Sequence, residues 1–373
     1  MGPLQDIRVL DLSRLLPGPF CTRLFADMGA DVIKIEEPVK GDYSRDFVPR
    51  RGDFACWFME VNRNKKSMAL DLKQKKDREI FLELVKTAHV VVESYRPGVM
   101  EKLGVDFATV KKVNPKIVYC SITGYGRQGP LVKQADHDIG YQSLAGLISL
   151  SGEKDGKPSI PGVLAADMQA SALAGMSILA ALRHADRTGE GQEISISLFD
   201  ICLALVPGVS ATYFGNGFVN VRGNNWLSGA NPNYNVYRTK DGRYMSVGCL
   251  EEKFWAKLCK VLERPDLVTA IRDEKNYPML KEELTDLCTV VFISAVTGFG
   301  IDELKDILWR ELNSESNKIQ GVISEEIMVH RDKQQKELDE MEELVSIEDI
   351  EDLQELDDIE DIEELEDYEY VDV

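Results

Sequence analysis

Within its first 36 residues the chain lays down an alternating apolar segment, Ile7 to Leu12, a helical segment from Leu15 to about Met28, and a second apolar segment, Asp31 to Glu36. Two short strands separated by one helix are joined by a crossover, and a crossover returns the second strand parallel to the first. Pro17 and Pro19 suit a first helical turn, whose N–H groups have no intrahelical partner, and Gly29 suits the residue that ends the helix. Met68 to Leu72, Val90 to Glu93 and Ile117 to Ile122 read as further strands, with Lys76 to Ala88 as a crossover helix. This order predicts an α/β fold: a doubly wound parallel sheet, Rossmann-like, in the large domain. No G-x-G-x-x-G follows the first strand, so a dinucleotide is not expected as ligand.

Charge separates the body of the chain from its end. Residues 321–373 hold 23 acidic and 3 basic side chains, which equals the whole net charge of −20. The rest is neutral, with no basic footprint for nucleic acid. From about Glu337 the repeated Ile-Glu-Asp and Glu-Leu-Asp units are too charged to bury a core, and a disordered, solubilising tail is expected. The seven cysteines are scattered singly, without metal-type spacing, as expected for reduced thiols in the cytoplasm. No basic-then-apolar leader opens the chain and no apolar run is read as membrane-spanning, so neither membrane nor metal is expected.

One stretch carries candidate chemistry. It begins Asp136-His137-Asp138-Ile139-Gly140-Tyr141 and ends with Asp167, just before an apolar run of helical period, Met168 to Leu182. An imidazole and a carboxylate at the edges of apolar segments are proton-transfer groups if they face one substrate. Alone, His137 reads equally as a histidine at a loop–helix junction, and Asp167 as a helix N-cap. Glu251, before a helix expected over Lys253 to Leu262, reads as a first-turn acid. Tyr237 to Met245 reads as a hairpin turning at Asp241-Gly242.

Several words in order resemble the class III CoA-transferase (CaiB/BaiF) and α-methylacyl-CoA racemase family. They are Asp11-Leu12-Ser13 with Pro17-Gly18-Pro19, Ala26 to Glu36, Asn62 to Ser67, Tyr95-Arg96-Pro97-Gly98, Gly124-Tyr125-Gly126, Arg187 to Gln192 and Arg222-Gly223-Asn224. The resemblance implies an acyl-CoA substrate, with CoA as part of the substrate and no separate cofactor, and an interlocked homodimer. It implies that His137 and Asp167 exchange the α-proton of a 2-methylacyl-CoA, with Glu251 hydrogen-bonded to His137. The alternative is a CoA-transferase in which Asp167 attacks the thioester, and Gln142 leans that way; a further alternative is an inactive fusion product. Leu70, Asp71, Leu72, Lys73, Asp136, Asp138 and Tyr141 match positions lining the CoA groove. Glu37 stands where an arginine commonly meets CoA, leaving Lys34, Lys40 or Arg45 for the phosphates.

The resemblance spans about residues 1–275: a large domain over 1–200 and the start of a smaller α+β domain over 201–276. Beyond it, Val290 to Leu304 and Trp309 to Asn313 in segment 277–320, followed by the acidic tail over 321–373, resemble the C-terminal end of Obg-type GTPases. No G-x-x-x-x-G-K-[ST] loop is present to hold nucleotide phosphates.

Overall fold

The computed structural model describes residues 2–285. The expected GTPase-like stretch from Val290 and the acidic tail lie outside them.

Six strands form one sheet: β1 (Arg8–Asp11), β2 (Asp31–Glu36), β3 (Lys66–Ala69), β4 (Val90–Glu93), β5 (Val118–Thr123) and β6 (Glu193–Ser197). Their spatial order is β3-β2-β1-β4-β5-β6, and every pair is parallel. The doubly wound expectation holds. Strand β3 ends at Ala69, before the Leu70-Asp71-Leu72 assigned to a strand above, and β6 was not anticipated.

Side-chain alternation divides the strands between two cores. Val9, Val32, Val90, Val92, Val118, Cys120 and Ile122 face helices α1 (Pro17–Asp27) and α5 (Ala165–Thr188). Leu10, Ile33, Ile35, Val91 and Tyr119 face α2 (Lys75–Val85) and α3 (Phe107–Val113). Burying each such aliphatic side chain is worth roughly 1.5–3 kcal/mol.

Helix α5 begins earlier and ends later than the Met168–Leu182 run suggested. By length and composition, with a mean hydropathy of 1.3, it would pass for a membrane span, against the expectation of no such run. Its Ala166, Ala170, Ala174, Ile178, Ala181 and Leu182 are instead buried in the first core. Small residues let it lie close to α1: a Cβ on Gly175 would stand 3.6 Å from the Phe25 ring.

After α6 (Leu198–Ala204) and α7 (Pro207–Asn216) comes the expected hairpin, β7 (Tyr234–Arg238) with β8 (Tyr244–Gly248). Its turn is closed by Thr239 N–H donating to Arg243 O at 2.8 Å, with Gly242 at φ +82°, a backbone that L side chains rarely adopt. The inner face, Tyr237 and Val247, packs with Trp255 and Cys259 of α8 (Glu252–Val261) and Leu280 and Leu284 of α9 (Tyr277–Leu284).

Candidate active site

In an open parallel sheet, the crevice for a ligand lies outside the carboxyl ends of the strands where the winding reverses, here between β1 and β4. Asp11, the last residue of β1, is fully buried. Its carboxylate accepts from Ser13 N–H at 3.0 Å, Thr22 Oγ1 at 2.7 Å and Lys65 Nζ at 2.9 Å, and also from the Ser13 hydroxyl. Burial opposes its ionisation, but Lys65 and Lys34 outweigh it and hold the carboxyl below its usual range. Burial likewise pulls the Lys65 ammonium down to about 8, against the attraction of Asp11. Lys34 donates to Ser13 O at 2.8 Å and pairs with Asp42 at 3.0 Å. The floor of the crevice is thus a buried ion network.

Helix α5 joins β5 to β6, so its N-terminus returns to this same end of the sheet. Ser171, one turn in, donates to Pro17 O at 2.7 Å and ties it to the start of α1. Beside it begins the short helix α4 (Asp138–Leu144). Asp138 is buried with both carboxyl oxygens engaged: Oδ2 accepts from the Asp167 backbone N–H at 3.2 Å, and Oδ1 from the Gln142 amide. Two helix N-termini are stitched together by one carboxylate.

Asp167 is therefore the third residue of α5, whose N-cap is Leu164; it does not cap the helix. Burial, then the nearby Asp138 charge, push its carboxyl up to about 7. The same arrangement fixes the preceding loop. Tyr141 donates to Asp136 O at 2.7 Å, and Tyr125 to Asp136 Oδ2 at 3.3 Å. The Tyr125 and Tyr141 rings meet edge-on at 5.2 Å. A Cβ on Gly140 would stand 1.9 Å from the Asp136 carboxylate, so a side chain there would displace that carboxylate.

His137 is the N-cap residue of α4; its side chain is exposed and has no hydrogen bond among the described residues. The bond expected from Glu251 does not form: Glu251 is an exposed N-cap residue of α8. Leu70 and Leu72 are buried in the second core rather than lining a groove. Both look apolar in sequence, and the sequence does not distinguish groove from core. Asp71 accepts from Lys73 N–H at 3.0 Å and shapes the turn into α2, leaving the Lys73 side chain exposed. Among the phosphate candidates, Lys34 is consumed by the ion network. Arg45 pairs with Glu36 at 2.6 Å and lies 3.8 Å over the Phe58 ring. Lys40 is exposed.

Sequence reasoning missed Glu93 at the end of β4, across the strand-order reversal from Asp11. It is buried, accepts from Tyr95 N–H at 2.8 Å, and lies 3.7 Å from Arg127. Burial pushes its carboxyl up to about 7. A glutamate ending an apolar strand was its only signal.

Residues 4–291 match the profile of CoA-transferase family III. The chain belongs to that family. The match runs past residue 276, beyond the span of the resemblance described above. Among curated relatives, the family III chain is 37% identical over 299 residues to the succinyl-CoA:mesaconate CoA-transferase of Haloarcula hispanica, covering 77% of this chain and 75% of that one. It is 35% identical over 301 residues to the mouse succinyl-CoA:glutarate CoA-transferase, covering 80% and 69%. Among solved structures, a CAIB/BAIF family protein from Brucella suis superposes with a TM-score of 0.68 at 29% identity, covering 86% of each chain. The names of the relatives favour the transferase alternative over the racemase reading set first above.

Proposed function

We propose that this family III protein is a CoA-transferase, moving CoA from an acyl-CoA to a carboxylic acid, with Asp167 as the covalent nucleophile. The observation that carries the reading is the placement of Asp167: a half-buried carboxyl in the first turn of a core helix, its backbone held by Asp138.

In the proposed route the Asp167 carboxylate attacks the thioester carbonyl, the C–S bond breaks, and CoA leaves as thiolate, giving a mixed anhydride of Asp167 and the acyl group. The thiolate then attacks the Asp167 carbonyl, releasing the first acid and leaving CoA as a thioester on Asp167. An acceptor carboxylate attacks that thioester, expelling the thiolate and forming a second anhydride. Thiolate attack on the acceptor's acyl carbon frees the Asp167 carboxylate and yields the new acyl-CoA. No cofactor is consumed. A carboxyl whose proton is lost near neutrality is a stronger nucleophile, once ionised, than one at the ordinary carboxylate value. The positive end of the α5 dipole favours the oxyanion that develops at the attacked carbonyl.

The exposed His137 ring supports this reading over epimerisation. A two-base racemase needs an imidazole oriented in one tautomer, and neither Glu251 nor any other described side chain is hydrogen-bonded to it. We further propose a homodimer, supported by the exposed Leu173, Met176 and Leu179 on α5 and Tyr213 and Phe214 on α7.

The deciding experiment incubates the protein with succinyl-CoA and looks for a hydroxylamine-sensitive adduct on Asp167 by peptide mass spectrometry. The expected result is an adduct that an added dicarboxylic acid discharges with formation of a new acyl-CoA. Deuterium entering the α-position of a 2-methylacyl-CoA in D₂O, without any adduct, would restore the epimerase.

A further inference from the structure

The outer face of the β7–β8 hairpin, turned away from its own core, borders a cleft of about 800 Å³ that none of the chemistry above uses. Tyr234 stands opposite Gly248, and Ser246 opposite Val236, so alternate residues of both strands present one surface to it. Tyr244 on this surface is 56% exposed. Two cations from distant parts of the chain share the same cleft: Lys154, on the loop that leads into α5, and Lys281, on α9.

Both lysines are held by construction. Arg222 donates to Ser149 O at 2.7 Å and to Gly156 O at 2.7 Å, clamping the two ends of the Lys154 loop. Gly223 then lets that loop approach: a Cβ there would stand 2.8 Å from the Lys154 Cβ, and its φ is +66°. Lys281 donates one hydrogen bond, to Gly229 O at 2.6 Å, and forms no ion pair among the described residues. Lys154 forms none either. Glu153 also borders the cleft, leaving the three charged lining residues with a net positive balance. Desolvation, then the charge of Lys154, lower the Lys281 pKa, a sign that the two ammonium groups feel one another without a carboxylate between them.

We infer that this cleft is a binding site for an organic phosphate of nucleotide size, with Lys154 and Lys281 on the phosphate and a tyrosine face, Tyr244 or Tyr234, against the planar base. Two ammonium groups without an ion pair among the described residues suit an oxyanion of more than one charge. The volume is in the range that encloses a nucleotide and much exceeds a bare phosphate. An exposed phenol ring offers stacking that any base can use. The phosphate could belong to a free nucleotide or to the nucleotide end of a CoA thioester, and competition separates the two.

The test is calorimetric titration of the full chain with AMP, with adenosine and inorganic phosphate alongside. AMP is expected to bind at least about tenfold more tightly than adenosine or phosphate, and more weakly as salt is raised. Lys281→Met and Lys154→Glu should each weaken AMP by about tenfold or more. Lys154 is exposed, so its variant tests the charge without touching a core. Displacement of AMP by CoA would assign the site to the substrate's nucleotide; undisturbed AMP binding would assign it to a separate ligand. AMP affinity unchanged in Lys154→Glu, adenosine binding as tightly as AMP, or no binding at millimolar AMP would each overturn the inference. Adduct formation at Asp167 is measured independently, so failure here does not touch the transferase reading.

Discussion

The buried Asp138 carboxylate accepts a hydrogen bond from the backbone N–H of Asp167 at 3.2 Å while its charge bears on the Asp167 side chain. The contact that positions the proposed nucleophile is therefore one of the two influences that keep it protonated to unusually high pH. With Asp167 near 7, kcat/KM should rise through that region to a plateau, since only the carboxylate attacks. Asp138→Asn keeps the size and removes the charge, so the midpoint should move to lower pH. A midpoint that stays in place would mean that burial alone sets it.

Asp167→Ala should lower transferase turnover by roughly a thousandfold or more, because the covalent route has no substitute carboxylate. His137→Ala should stay within about threefold, its ring being exposed and unbonded. Steady-state kinetics on both variants decide this. Equal, large losses would return His137 to the chemistry.

Asp167 also makes stability depend on pH. Between about pH 4 and about pH 7 the folded protein holds a proton on Asp167 that the unfolded chain has released, so stability falls as pH rises across that window. Glu93, also at about 7, acts with the same sign. Asp167→Asn should therefore gain on the parent by on the order of 1–3 kcal/mol at pH 8, and little at pH 4. Urea unfolding at the two pH values measures the difference. An equal effect at both would show that the raised carboxyl is not linked to folding.

Lys65→Met leaves the Asp11 charge buried with one cation fewer. Breaking such a pair from one side costs about 3–5 kcal/mol. Thermal unfolding should show a clear loss for Lys65→Met and little change for Lys40→Met, whose side chain is exposed. Similar midpoints for the two variants would mean that the network adds nothing to stability.

The apolar surface on α5 and α7 should be covered in solution. Light scattering is expected to give twice the chain mass, and Met176→Glu with Phe214→Glu to reduce it. A parent that remains monomeric at micromolar concentration would remove the dimer from the proposal.

Much of the frame was legible because alternation and crossover order are local signals: β2 and β4 fall on the predicted residues, and the hairpin turns at Asp241-Gly242. Asp167 was singled out through its neighbours in the chain. Its cap position was not, because N-cap and third helical position differ only in where the backbone bends. Leu70 and Leu72 are buried in the second core, which the sequence did not announce, since apolar character is the same in a core and in a groove wall. Lys34 carried an unused clue: in Asp31-Val32-Ile33-Lys34-Ile35-Glu36 it occupies the same face as Val32, which points into the first core. Glu93 became meaningful only when the fold brought Arg127 to it.

Among the described residues, every partner of the crevice-floor network, from Asp11, Ser13 and Thr22 through Lys34 and Asp42 to Lys65, lies within the first 65 residues, whereas Asp167 arrives a hundred residues later. During synthesis from the N-terminus, the groups that lock one another in place emerge together, and Asp167 emerges after them. The carboxyl that would react with thioesters thus joins a cradle whose charges are already spoken for, leaving Asp138 as the acid it must answer to.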